Sequence, residues 1–129
     1  MSQNAAGNLT AAQNGITMEN IIRALYPQAE FEYRGLIDLS IDGVRVEIKS
    51  CQDKTKDNHN SAGTRSGRFC FNDLQHQELI ENSGEYILLV HRGGIPFLYF
   101  RVPAHCLDLG EFSGIKSVCW KTLIGGILC

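Results

Sequence analysis

The sequence predicts an α/β fold in which a mixed β-sheet is flanked by helices. Three observations carry that expectation. A short amphipathic helical pattern runs through TMENIIRALYP, an alternating hairpin fills GLIDLSIDGVRVEIKSC, and a second helical segment, DLQHQELIEN, precedes two apolar strands, EYILLVH and PFLYFRV. At 129 residues, 43% of them apolar, the chain fits one domain with enough length to bury a core.

The elements follow in order. Residues 1–16 are small and polar and read as a flexible leader, which leaves residues 17–129 as a single domain. Met18, Ile21, Ile22 and Leu25 fall on one helical face, Thr17 can cap it, and Pro27 ends it near Tyr26. FEYRG supplies a first strand. Asp42-Gly43 is a two-residue hairpin signal, because both central positions of a type I′ turn need positive φ. That turn pairs Ile41 with Val44, Ser40 with Arg45, Leu39 with Val46 and Asp38 with Glu47. Ile37, Leu39, Ile41, Val44, Val46 and Ile48 then share a core face, while Asp38, Ser40, Arg45, Glu47 and Lys49 share a charged one. From Gln52 to Gly67 no apolar periodicity remains, and turn-forming residues predict a long loop. FCF reads as a short strand, and Asn72 with Gln75 resembles a capping box for the helix that stops at Ser83-Gly84. EYILLVH is a buried strand, Arg92-Gly93-Gly94 a turn, AHCLDL a helical turn and SVCWKTLI a closing strand.

Composition bounds the function. A net charge of −2 gives no global attraction to nucleic acid or to an anionic membrane, so a polyanion would have to meet a local patch. Lys49, Lys54, Lys56, Arg65 and Arg68, against Asp53 and Asp57, form such a patch, able to grip a nucleic-acid backbone. The five cysteines, 51, 70, 106, 119 and 129, are odd in number and include no CxxC pair, which points to a reducing, cytoplasmic setting. No run approaches the roughly 18 apolar residues of a membrane span.

The hairpin carries the chemistry. Two carboxylates about 5 Å apart repel by roughly 3 kcal/mol at an effective dielectric near 20, and a divalent cation would remove that cost. Mg²⁺ suits such a pair, because it takes few protein carboxylates and completes its shell with water and phosphate oxygens. Lys49 projects from the same face as Glu47, roughly 7 Å along the strand. Acid, acid and lysine together can offset the charge that develops in phosphodiester hydrolysis. The plain alternative is a solvated acid pair balanced by Arg45 and Lys49.

Asp38 in GLIDL, Glu47 and Lys49 in VEIKS, Gln75 in FNDLQHQEL and the paired strands YILLVHRGGIPFLYFRV resemble the PD-(D/E)XK, or restriction-endonuclease-like, nuclease superfamily. Within it, the short chain and the element order, over roughly residues 17 to 103, are most similar to the archaeal Holliday-junction resolvases, which are small homodimers. Those resolvases commonly open on a basic segment, whereas this leader is almost uncharged. The resemblance implies a restriction-endonuclease-like core and Mg²⁺-dependent cleavage of DNA, branched or duplex, with Mn²⁺ able to substitute. It also implies metal bound by Asp38, Glu47 and the helix acid Glu19, catalysis by Asp38, Glu47 and Lys49 with Gln75 in support, and phosphate contacts from Lys54, Lys56, Arg65 and Arg68. Glu19 is equally explained by the helix dipole and Gln75 by capping. An RNA-directed or other metal-dependent phosphodiesterase, or a non-catalytic DNA-binding subunit of the same fold, remains the alternative. The homodimer would use the apolar C-terminal third, from Phe97 and Tyr99 through Phe112 and Trp120 to Leu123, Ile124, Ile127 and Leu128.

Overall fold

Asp42 and Gly43 adopt φ of 52° and 81°, the pair of positive values a type I′ turn demands, and they set the register of everything around them. The structure, a computed structural model, describes residues 18–32, 39–56 and 63–128. Residues 1–17, including the expected leader and the Thr17 cap, lie outside them, as do Asp38 and Asp57. Strand β2 (Leu39–Ile41) pairs antiparallel with β3 (Val44–Gln52) through Leu39 with Val46, Ser40 with Arg45 and Ile41 with Val44. That is the register the turn predicts.

The remaining main-sheet strands are β1 (Glu30–Phe31), β7 (Glu85–Arg92) and β8 (Ile95–Pro103). The five-stranded order is β1-β2-β3-β7-β8. Only β3 and β7 run parallel, so the sheet is mixed. Helix α1, residues 18–25, covers one face, where Met18 and Ile22 meet Leu39, Ile41, Val46, Ile87 and Leu89. The other face is covered by α2 (Asp73–Glu81), by the pair β6 (Arg68–Asn72) and β9 (Ile115–Cys119), and by α3 (Trp120–Leu128). There Phe69, Phe71, Leu79, Tyr86, Leu88, Leu123 and Ile124 form the second core. The fold is thus α/β, a mixed sheet flanked by helices as in the restriction-endonuclease-like class.

Two expectations are corrected. The stretch from Gln52 to Gly67 is not an unbroken loop. It holds strands β4 (Lys54–Lys56) and β5 (Thr64–Ser66), paired antiparallel as a polar arm. Neither strand buries an apolar face, so no alternation could reveal them. At the base of the arm a Cβ on Gly67 would lie 1.7 Å from the Gln52 carbonyl oxygen, so only glycine lets the returning chain pass there. SVCWKTLI is not one strand either: it turns into α3 at Trp120. The helix buries Leu123 and Ile124 and packs Ile127 on the same core, despite the low propensity of Gly125-Gly126. Leu123 and Ile124 therefore close the core and leave the expected dimer surface, while Ile95, Phe97 and Tyr99 of β8 are exposed. A 3₁₀ turn (Ala104–Cys106) stands where AHCLDL predicts a helical turn.

The far end of the sheet is closed by Asp53, which is 8% exposed. Its carboxylate accepts from Arg92 Nε at 2.8 Å, and its carbonyl accepts from Trp120 Nε1 at 2.9 Å. The Arg92 guanidinium holds the Asp53 carboxyl below its usual range. Neighbouring His91 is 3% exposed, and its Nδ1 has no hydrogen-bond partner. Burial pushes its pKa down, partly opposed by Asp53. A folded value below the unfolded value of about 6.5 means that stability is full above that pH and falls as the pH drops through the folded value. His76, depressed by burial, acts in the same direction, while Asp53 loses its contribution only at lower pH. The urea midpoint is therefore expected to fall between about pH 7.5 and pH 5, and to fall less in His91→Gln. An identical pH dependence in the variant would show that His91 is not buried neutral.

Candidate functional site

On the charged face of β3, Glu47 is buried and Lys49 half-buried, while Arg45 at the edge is exposed. Arg45, Glu47 and Lys49 alternate with the α1-side residues Val46 and Ile48, and α2 lies across them. Arg45 pairs with Glu78 in the last turns of the helix, and Lys49 Nζ donates to Gln75 Oε1 in its first turn at 3.1 Å. The helix therefore runs antiparallel to β3, with Glu47 between its two anchor points. Glu47 is 4% exposed, so it is not the solvated acid of the plain alternative. The reason is the polar underside of α2: among its residues only Leu79 is buried, so it docks on charges instead of on an apolar strip.

The helix start explains how Gln75 comes to reach Lys49. Asn72 is the N-cap, and its side-chain oxygen accepts from the backbone N–H groups of Leu74 at 2.9 Å and Gln75 at 3.1 Å. With the cap supplied by Asn72, the Gln75 carboxamide serves the lysine. Lys49 Nζ also lies 3.6 Å from Glu47 Oε1. An ammonium held by a carboxylate and a carboxamide at once is confined in position, unlike a lysine free in solvent.

Strand β7 supplies the floor. The parallel register sets Tyr86 beside Glu47 and Leu88 beside Lys49. Tyr86 is fully buried, and its phenol is pushed up by burial and by the nearby Glu47 charge. Its hydroxyl meets His76 Nδ1 at 2.9 Å. Neither Tyr86 nor His76 stands out in the sequence, because the pairing of β3 with β7 across an intervening arm and helix leaves no local signal.

The other expected site residues are placed as follows. Asp38 lies outside the described residues. Glu19 belongs to α1, whose core contacts are on the opposite face of the sheet from Glu47, and it accepts from Arg23 at 3.0 Å. Lys54 and Arg65 are exposed on the arm, and Lys56 ends β4. Arg68 is also exposed, but its guanidinium donates to Ser117 Oγ at 2.6 Å and to the Ser117 carbonyl at 2.8 Å, tying β6 to β9. The structure thus gathers Glu47, Lys49 and Gln75.

Among the described residues no three His, Cys, Asp or Glu side chains converge on one point. A Mg²⁺ ion held by two carboxylates, water and phosphate oxygens does not require them to. The donors at hand, hard oxygens backed by a lysine, fit such an ion in kind. Among the described residues no helix is long and apolar enough to cross a membrane.

No curated protein matches the chain. A family model described as the PD-(D/E)XK nuclease superfamily domain matches residues 5–96, a span that holds the β2–β3 hairpin, the arm, α2 and β7. Members of this superfamily are nucleases that typically use divalent metals. With a mixed sheet that carries an E-x-K strand, a glutamine helix over it and a matched span exceeding two thirds of its length, the chain belongs to the PD-(D/E)XK nuclease superfamily.

Proposed function

We propose that the protein is a metal-dependent endonuclease that hydrolyses DNA phosphodiester bonds, with Asp38 and Glu47 as metal ligands and Lys49 as the catalytic cation. The observation that carries this reading is the confinement of Lys49 between Glu47 and Gln75 on the strand where the superfamily holds its E-x-K pattern. Mg²⁺, or Mn²⁺ in its place, would polarise the attacking water and neutralise phosphoryl charge. The chain's own residues do the rest. Glu47 presents hard oxygens at a fixed depth, and Lys49 faces the charge that grows on the non-bridging oxygens as water adds and the leaving oxygen departs. Gln75 holds the ammonium in place, so no reorganisation is needed when that charge appears. Glu19 is an accessory acid at most, given its pairing with Arg23.

The arm extends the reading to binding. Lys54 lies five residues beyond Lys49, about 16 Å along an extended chain, a spacing that lets Lys54, Lys56 and Arg65 hold phosphates away from the scissile bond. Neutralising Lys54 and Arg65 together is expected to lower the slope of log affinity against log salt by about 2, equally on all sequences. An unchanged slope would remove the arm from the interface.

The assay that tests the function is incubation of purified protein with labelled duplex, flapped, four-way and single-stranded DNA and with RNA, with and without Mg²⁺ or Mn²⁺. Metal-dependent cleavage of DNA is expected, and preference for the four-way substrate would identify a resolvase-like enzyme. Cleavage of RNA alone would replace DNA as the substrate, and absence of any cleavage would leave a binding subunit. A homodimer, proposed to meet symmetric DNA with two sites, would use the exposed Phe97 and Tyr99 of β8. Sedimentation of Phe97→Glu checks it: a monomeric variant that nicks but makes no paired cuts is the expected outcome.

A further inference from the structure

Two consecutive residues of α2 reach down to two adjacent strands. Gln75 accepts from Lys49 on β3, and His76 Nδ1 meets the Tyr86 hydroxyl on β7 at 2.9 Å. Apolar packing alone defines the rotation of α2 poorly, since Leu79 is its only buried residue while Leu74 and Ile80 are 63% and 40% exposed. The Arg45–Glu78 pair at the other end is half exposed and contributes little rigidity. His76 is different. Its ring stacks on Tyr86, with centroids 5.9 Å apart and planes 16° apart, and Phe112 lies 6.2 Å away. Tyr86 itself is wholly buried beside Glu47, so it cannot shift without moving the core.

We infer that His76 is a positioning residue for the nuclease centre: bonded to the immobile Tyr86, it fixes the rotation of α2 and thereby holds Gln75 against Lys49. The inference rests on the role proposed for Lys49. Rotation of a helix by about 15° carries a side-chain tip, about 5–6 Å from the axis, by more than 1 Å, and displacement on that scale can lower a rate on the order of 100-fold without touching substrate. The metal ligands are not on α2, so their affinity is left alone.

Three substitutions separate this from a merely structural role. His76→Phe keeps a ring between Tyr86 and Phe112 but loses the hydrogen-bonding nitrogen, Tyr86→Phe loses the hydroxyl, and His76→Asn, whose amide can donate or accept, restores a hydrogen-bonding atom near the Nδ1 position. In single-turnover cleavage at saturating Mg²⁺, the first two and their double variant should share one loss, on the order of 10- to 100-fold, and His76→Asn should recover most of it. Substrate affinity and Mn²⁺ affinity, read by titration of the uncleaved complex and of the free protein, should stay within twofold of wild type. Independently of activity, the Gln75 side-chain amide should lose its order in NMR relaxation of His76→Phe. Losses that multiply in the double variant, or a Gln75 amide as ordered as in wild type, would overturn the inference. If instead the wild type cleaves nothing, or Lys49→Ala cleaves as wild type does, the reading of the site itself has failed, and the Gln75 relaxation still decides the positioning role.

Discussion

Glu47→Ala is expected to lower metal-dependent cleavage by at least about 1,000-fold, because it removes the carboxylate that would share the cation with Asp38. Its effect on stability without metal is set by two opposed terms. Relief of the carboxylate repulsion expected across the hairpin would be worth roughly 3 kcal/mol at a dielectric near 20. Against it stands the loss of a buried countercharge. Glu47 is 4% exposed and 3.6 Å from Lys49, and leaving such a partner unpaired costs about 3–5 kcal/mol. The second term is larger, so the metal-free variant should be less stable than wild type by about 1 kcal/mol, where a solvated acid pair would make it more stable. Urea unfolding in chelator measures the sign. Near-wild-type turnover in Glu47→Ala would remove Glu47 from the site.

Lys49→Ala should separate binding from chemistry. Mn²⁺ titration of the variant is expected to give an affinity at least equal to wild type, since a competing cation beside Glu47 has gone. The single-turnover rate should fall on the order of 100- to 1,000-fold, because the ammonium acts chiefly on charge that exists only in the transition state. Lys49→Arg should not rescue it: a planar fork cannot occupy the position that Gln75 Oε1 and Glu47 Oε1 define for a point charge. A loss of substrate affinity with an unchanged single-turnover rate would assign Lys49 to binding alone.

The hairpin was legible because its turn is local. Asp42-Gly43 allows one geometry, the period of two does the rest, and the register from Leu39 to Val46 follows from them. The α2 cap at Asn72 was legible for the same reason. What could not be read was whatever depends on an element far along the chain. The charged face of β3 looks solvated in sequence because alternation marks polarity, and polarity is what remains when the covering helix is itself polar. The use of Gln75 for Lys49 instead of capping follows from that helix lying along β3. The arm at Lys54–Lys56 and Thr64–Ser66 has backbone pairing without an apolar face, and α3 owes its existence to the core it completes, not to the propensity of WKTLIGGIL.

The parallel neighbours β3 and β7 also determine when the enzyme can first act. Val46 meets Glu85 only after nearly forty residues of arm, strand and helix have been accommodated, a closure that costs about 3 kcal/mol of chain entropy before any pairing energy returns. A nascent chain emerging from the ribosome therefore carries Glu47 and Lys49 on a hairpin that lacks its floor and its glutamine helix. Translation of β7 is the step that completes the strand pair, seats Tyr86 and lets α2 close over it. Until then Glu47 and Lys49 sit on a strand without Tyr86 beside it, so on the proposed reading the centre is assembled only once β7 has been made.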